Sequence, residues 1–381
     1  MKILVLSNCP VVESQGSGYV VTGYVRELRE SGHDVTCFGP ESFECLAWLK
    51  SARAWRLAIG MAAFASRHLR GRQYDLVELY GGESWLTVLT LRVLRTRSVL
   101  VHHSNGLETR ISQELVANFG TDTHSGLPRR WYQPRAHMLI RQAFTRVDAV
   151  VVVSEIEFDF AKSMRYQPDD RLLSLETPVP AVFRDVVFEP KRAMTVGYCG
   201  GWFARKGVDL VAQTCTALLR RHPELQVRLA GVGEAFRVEA VFPADVADRV
   251  HVTPFIADKL ELRDWYRQLA VLLMPSYSES FGLVVSEAMA CGCAVVASKT
   301  GFAASLVADE EALIVADYAA DSYVQAVDRL LIDEALRVRI AQTGYQRVQR
   351  MRWAEVGAQL EAFYRSLKAC PKPHWLTVSS S

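Results

Sequence analysis

Short runs of consecutive apolar residues alternate along this chain with stretches in which apolar positions recur every three to four residues. Ile3-Leu4-Val5-Leu6-Ser7, Val35 to Phe38, Tyr74 to Leu79, Ser98 to His102 and Val147 to Ser154 are runs of the first kind. They fit strands buried on both faces of a parallel sheet. Tyr19 to Glu30 has helical spacing and is closed by Ser31-Gly32, a C-terminal stop. Pro178 and Pro180 predict an extended connection over Leu173 to Phe183 because proline fixes φ and restricts its predecessor. Beyond it, Thr195 to Cys199, Gln226 to Ala230 and Val250 to Thr253 read as strands, Leu260 to Leu269 as an amphipathic helix, and the chain after Asp317 as helical. Strand and helix in alternation predict an α/β fold in two Rossmann-like domains, 1–180 and 190–352.

The second half is organised around Val271 to Gly301. Val271 to Met274 is a short apolar strand that ends at Pro275, which has no N–H to give a ladder. The polar loop Ser276 to Ser280 leads into Phe281-Gly282-Leu283, and Leu283, Val284, Ala288 and Met289 then recur at helical spacing. Gly292 stops that helix, and Ala294 to Ala297 is the next buried strand. The loop delivers Glu279 and the helix carries Glu287. Amides at a Gly-containing helix start, with the positive end of the helix dipole, suit an anion such as a diphosphate. A lone acid in a first turn would answer to the dipole alone; two acids flanking Phe-Gly-Leu suit acceptors for hydroxyl groups on either side of a bound phosphate.

Composition narrows the classes. At 381 residues the chain is long enough for two domains. A net charge of +2 gives no reason to expect nucleic acid as the main partner. Eight scattered cysteines without a C-x-x-C pair argue against zinc and for reduced thiols in a cytoplasmic protein. Met1-Lys2 leads straight into the first strand, and no stretch has the length of a membrane span. One segment stands apart. Between Cys45 and Tyr74 there are six cations (Lys50, Arg53, Arg56, Arg67, Arg70, Arg72) and no acid, interleaved with Trp48, Trp55, Leu57, Ile59, Met61 and Phe64. Residues 46–72 therefore fit either a peripheral contact with an anionic membrane or a core-packed helix with a solvated basic face. The basic stretch Arg129-Arg130-Trp131 to Arg146 equally fits the acceptor side or a solvated face.

Two further loops carry candidate chemistry. Gly16-Ser17-Gly18 follows the first strand, where glycines let amides approach a phosphate or merely serve a turn. Gly200-Gly201-Trp202-Phe203-Ala204-Arg205-Lys206-Gly207 follows Cys199, and paired cations there can clamp a diphosphate.

The stretch PSYSESFGLVVSEAMACGCAVVAS resembles the E-x7-E signature of retaining glycosyltransferases with the GT-B fold, the GT4 group. The resemblance covers most of the chain: the GHDV tail of the first helix, Lys206-Gly207 of the Gly-Arg-x4-Lys-Gly loop, and Gly231-Val232-Gly233 all follow its pattern. Two positions depart from it. Gly201 stands where the family has arginine, with Arg205 as the substitute, and the family's His-Gly becomes His103-Ser104-Asn105-Gly106. Either His103 or Asn105 would then lie near the donor sugar. The resemblance implies transfer of a sugar from a nucleotide diphosphate sugar, UDP- or GDP-linked, to an acceptor hydroxyl with retention and without a metal. It implies that Glu279, Lys206, Arg205 and His103 act on the reacting groups. Gly16, Ser17, Gly18, Asn105, Gly201, Gly231, Phe255, Ile256, Ser280, Phe281, Gly282, Leu283 and Glu287 would hold the donor. The N-terminal domain, completed by a crossover helix within 353–381, would bind a saccharide, lipid-linked or small-molecule acceptor. A dehydrogenase is disfavoured, since Ser7-Asn8-Cys9-Pro10 replaces the Gly-x-Gly-x-x-Gly it needs. A non-enzymatic sugar-nucleotide-binding subunit or another GT-B enzyme, such as an epimerase, is the alternative.

Overall fold

The structure, a computed structural model, describes residues 1–13, 16–45, 48, 52–120 and 129–369, with the backbone alone at 129–136. Leu46, Ala47, Leu49, Lys50 and Ser51 of the basic segment, the side chains of Arg129, Arg130 and Trp131, and the expected disordered tail 371–381 lie outside the described residues.

The apolar runs form two parallel sheets. In the first, β1 (Lys2–Leu6), β2 (Asp34–Phe38), β3 (Leu76–Tyr80), β4 (Val99–His103), β5 (Ala149–Val152) and β6 (Leu172–Ser174) take the order β2-β1-β3-β4-β5-β6. The second holds β7 (Thr195–Cys199), β8 (Gln226–Ala230), β9 (Val250–Thr253), β10 (Val271–Met274), β11 (Ala294–Ser298) and β12 (Leu313–Val315) in the order β12-β11-β10-β7-β8-β9. Chain direction reverses its sideways progress between β1 and β3 and between β7 and β10. Ligands of such sheets bind beyond the strand C-termini at those points. The helices are α1 (Gly16–Glu30), α2 (Arg53–His68), α3 (Trp85–Val93), α4 (Glu108–Phe119), α5 (Arg129–Thr145), α6 (Glu155–Ser163), α7 (Val208–Arg221), α8 (Lys259–Arg267), α9 (Leu283–Ala290), α10 (Ala320–Ile332), α11 (Glu334–Gln349) and α12 (Trp353–Ala369). Among the described residues no helix is long and apolar enough to cross a membrane.

Each sheet is covered on both faces, as parallel sheets require. Leu4 and Leu6 pack with Leu57, Met61 and Phe144 on one side, while Ile3 and Val5 pack with Tyr24 and Leu28 of α1 on the other. That second cluster continues through Trp353, Leu360 and Tyr364 of α12 into Val285 and Met289 of α9, so one apolar core joins the two halves. The α12 helix is docked by polar bonds as well. Trp353 Nε1 donates to Tyr19 Oη at 2.7 Å, and Tyr364 Oη donates to Glu78 Oε1 at 2.9 Å.

Two local expectations need correction. The first helix begins at Gly16, so Gly16-Ser17-Gly18 is its opening turn rather than a free loop. Gly18 is buried against the chain before it, where a Cβ would stand 2.3 Å from the Val12 carbonyl oxygen. His103 belongs to β4 and not to the loop after it. The basic segment contains α2, whose Leu57, Met61 and Ala65 are buried while Trp55 and Ile59 are exposed on its outer face.

Candidate functional site

One wall of the cleft comes from the ends of β7 and β10. Once Pro275 leaves the ladder, the chain loops to Gly282, whose positive φ starts α9. Arg205 and Lys206 sit on a single 3-10 turn, followed by Gly207 at φ +67. A Cβ on Gly207 would lie 2.0 Å from the Pro275 carbonyl oxygen, so only glycine lets the two loops close on each other. That closeness brings Lys206 Nζ to 2.7 Å from Glu279 Oε1, where Ser276 Oγ also donates at 2.8 Å. Arg205 Nη1 donates to the Ser278 carbonyl at 3.0 Å.

Glu279 is buried. Burial pushes its carboxyl up, but the charges of Lys206 and Arg205, with the hydrogen bonds from Lys206 and Ser276, outweigh this and hold it below the usual range. It is an ionised acceptor beside two cations. Glu287 balances the other way: burial dominates and pushes its carboxyl up, opposed by Lys259 at 2.9 Å and a hydrogen bond from Tyr266 Oη at 3.2 Å.

The opposite wall is supplied by Gly16, Ser17 and Val20 of α1, with Asn105 and Val153 beyond β4 and β5. With Arg205, Lys206 and residues 279–284 they enclose a cavity of about 340 Å³. Asn105 Oδ1 and Arg205 Nε are buried there without a partner, the condition in which a polar ligand is expected. The start of α9 presents amides that have no intrahelical acceptor, so an anion placed in the cavity meets amides and two cations together.

The cavity thus gathers Gly16, Ser17, Asn105, Arg205, Lys206, Glu279, Ser280, Phe281, Gly282 and Leu283. The remaining expected residues lie outside its lining. Gly201 accepts a hydrogen bond from Tyr198 Oη, Gly231 stands against the Gly200 backbone, and Gly18, in the first turn of α1, is packed against the Pro10 and Val12 backbone. Phe255 is exposed, Ile256 packs at the edge of the shared core, and Glu287 is satisfied by Lys259 and Tyr266. His103 is 1% exposed and turned away from the cleft, its Nε2 bonded to Tyr364 Oη at 2.6 Å. Asn105, two residues on, is the member of that pair which reaches the cavity. Sequence reasoning missed Arg110, whose Nη2 donates to the Glu279 carbonyl across the cleft. No pattern around Arg110 distinguishes it, since its partner is 169 positions away.

Comparison with known proteins places this geometry. The profile described as "Glycosyl transferases group 1" matches residues 182–347, and that of "Glycosyltransferase Family 4" matches residues 14–171. The D-inositol 3-phosphate glycosyltransferase of Kineococcus radiotolerans is 33% identical over 338 residues, covering 81% of this chain and 75% of that protein. The protein of the same name from Nocardiopsis dassonvillei is 32% identical over 187 residues, or 46% of this chain and 43% of that one. The chain thus spans less than half the length of several of the curated relatives it matches. Among solved structures, sucrose-phosphate synthase from Thermosynechococcus elongatus superposes with a TM-score of 0.76 at 19% identity, covering 97% of this chain and all of that one. Anabaena HepE in complex with UDP gives a TM-score of 0.65 at 16% identity, over 96% and 100% of the two chains. The structural likenesses establish the fold, and the profiles with the Kineococcus relative establish the family: the chain belongs to the GT4-like glycosyltransferases of the GT-B fold.

Proposed function

We propose that this protein transfers a sugar from a nucleotide diphosphate sugar to an acceptor hydroxyl with retention of anomeric configuration. The observation that carries the reading is the convergence of Lys206, Arg205, Glu279 and the start of α9 on one cavity. In this reading Lys206, Arg205 and the α9 amides neutralise the departing diphosphate, which is stabilisation of charge where it develops. Glu279 accepts hydrogen bonds from sugar hydroxyls. Glu287, within α9 and held by Lys259 and Tyr266, takes the ribose hydroxyls in exchange for one of those partners. The bond from the anomeric carbon to the phosphate oxygen breaks, the bond to the acceptor oxygen forms on the same face, and the acceptor proton passes to the leaving phosphate.

Charge compensation rests on side chains and amides here, so turnover is expected to persist in a chelator. The 1–180 part, completed by α12, is the acceptor side and 190–352 the donor side. The relatives' names make a phosphorylated polyol the first acceptor to try, and the HepE complex makes UDP the first nucleotide. The same reading puts the enzyme in the cytoplasm with peripheral membrane contact through residues 46–72. Trp55 and Ile59 on the outer face of α2, with Arg53 and Arg67 beside them, support that contact; sedimentation with anionic liposomes that matches neutral liposomes would remove it.

Thermal melting against UDP, GDP, ADP and dTDP, without metal, tests the core of the proposal. A ligand bound only by the native state raises the midpoint by mass action. A clear shift with one of them, followed by slow hydrolysis of its sugar ester, is the expected result. A shift without hydrolysis would favour the non-enzymatic binding subunit, and no shift with any of them would point to a degenerate site.

A further inference from the structure

We infer that Arg110 is the positioning residue by which the N-terminal half holds the Glu279 loop in register when the cleft is closed. The inference rests on the role just proposed for Glu279.

Arg110 lies in the first turn of α4 and is 2% exposed. Its Nη2 donates to the Glu279 carbonyl oxygen at 2.5 Å while Nη1 donates to Glu114 Oε1 at 2.6 Å. Glu157 Oε1 stands 3.9 Å from Nη2. A planar guanidinium can serve a carboxylate and a carbonyl at once in fixed geometry, which a lysine ammonium cannot reproduce. Glu279 is consequently gripped at three places. Its amide donates to Thr300 Oγ1 at 2.9 Å, its carboxylate accepts from Lys206 and Ser276, and its carbonyl accepts from Arg110. Of these, Arg110 alone comes from the half of the molecule that carries β1 to β6.

The rest of α4 lies along the same loop. Gly106, just before the helix, has φ +130, and a Cβ there would stand 2.5 Å from Ser280 Oγ. At the far end Phe119 meets the Tyr277 ring edge-on, centroids 4.6 Å apart. Parting the two halves strips the Glu279 carbonyl of its donor, whereas Glu114 and Glu157 stay with Arg110 on its own side. The acids hold the guanidinium ready in either state, and the carbonyl is the partner gained on closure. Such a differential contact is what biases a two-state equilibrium.

The test uses the full chain, UDP-glucose and GDP-mannose as donors, and UDP and GDP as binding probes. Arg110→Ala is expected to lower kcat about 10- to 100-fold while the nucleoside diphosphate Kd stays within about threefold, since Lys206 and Arg205 are untouched. Arg110→Lys keeps a cation between Glu114 and Glu157, so it is expected to melt near wild type and still lose most of kcat. A merely structural role would move melting and turnover together and would be rescued by lysine. Wild-type kcat in either variant, or a Kd weakened by the same factor as kcat, overturns the inference while leaving the proposed function standing. A wild-type protein that binds neither nucleotide and turns over neither donor instead sinks the functional reading, and this inference with it.

Discussion

The wall that carries Glu279 is built from two short loops of one domain, that between β10 and α9 and the 3-10 turn of Arg205 and Lys206, 73 positions apart and locked together through Gly207. The facing wall is assembled from distant pieces. Asn105 leans on Cys9, 96 positions away, and the buried polar cluster behind it joins β3, β4 and α12, with His103 and Tyr364 261 positions apart. The first wall holds ionised groups at a cavity; the second withdraws His103 and Glu78 into the core, sends Arg110 across to the Glu279 carbonyl, and lines the cavity with Gly16, Ser17, Val20, Asn105 and Val153. On the proposed function, a charged clamp of that kind serves the diphosphate of the donor. A neutral wall leaves room for selectivity among acceptors.

If the clamp dominates, substitution there has the largest effect. Lys206→Ala should lower kcat/KM for the sugar nucleotide by about two to three orders of magnitude, the scale seen when one charge-stabilising donor is removed. Glu279→Gln should come close to it. Both are to be measured at matched protein folding, checked by melting; near wild-type turnover in either, with melting unchanged, would mean the clamp is elsewhere.

The pair on the other wall should separate. Asn105→Ala removes a hydrogen-bonding group facing the cavity and should cost about 3- to 10-fold in kcat/KM, the worth of about one neutral hydrogen bond, with little change in stability. Tyr364→Phe should do the reverse. It leaves Glu78 and His103 without their shared hydroxyl, at a cost of about 1–3 kcal/mol in stability by urea unfolding, and turnover stays within about twofold. A catalytic loss in Tyr364→Phe larger than in Asn105→Ala would restore the histidine to the reacting groups.

This division also explains what could be read in advance. The strand, loop and helix around Glu279 announce themselves through period and punctuation, and Lys206-Gly207 through a glycine that only a close backbone approach requires. His103 could not be read that way. The run Ser98 to His102 gives no sign that the strand extends one residue further, and strand alternation then turns the His103 imidazole to the face opposite His102, toward Tyr24 and Tyr364. The withdrawal of Glu287 onto Lys259 and the reach of Arg110 to Glu279 are likewise tertiary facts. They depend on α8 and α4 docking where they do, and neighbouring residues carry no trace of them.

The smallest effect expected is also the most specific to the buried cluster. Glu78 is fully buried, and burial pushes its carboxyl from 4.5 to about 7 despite hydrogen bonds from Tyr364 and Tyr80. Burial, aided by His102, lowers the His103 imidazole from 6.5 to about 3. Since the Tyr364 hydroxyl gives its one proton to Glu78, His103 Nε2 must donate to it, which suits a neutral ring. The two groups then act oppositely on stability. Between pH 4.5 and about 7 the folded state keeps a proton on Glu78 that the unfolded chain has released, so this group makes stability fall as pH rises. Between about 3 and 6.5 the unfolded chain protonates the imidazole that the folded state keeps neutral, so His103 makes stability rise with pH. In the overlap from 4.5 to 6.5 they offset each other, and the wild-type contribution of the pair is nearly flat. Glu78→Gln should expose the rising limb and His103→Phe the falling one, each by up to about 1.4 kcal/mol per pH unit, read from urea unfolding at pH 5 and 6. Parallel pH profiles in the two variants would show that the cluster does not titrate as two opposed groups, and the contrast between a charged wall and a withdrawn one would lose its energetic basis.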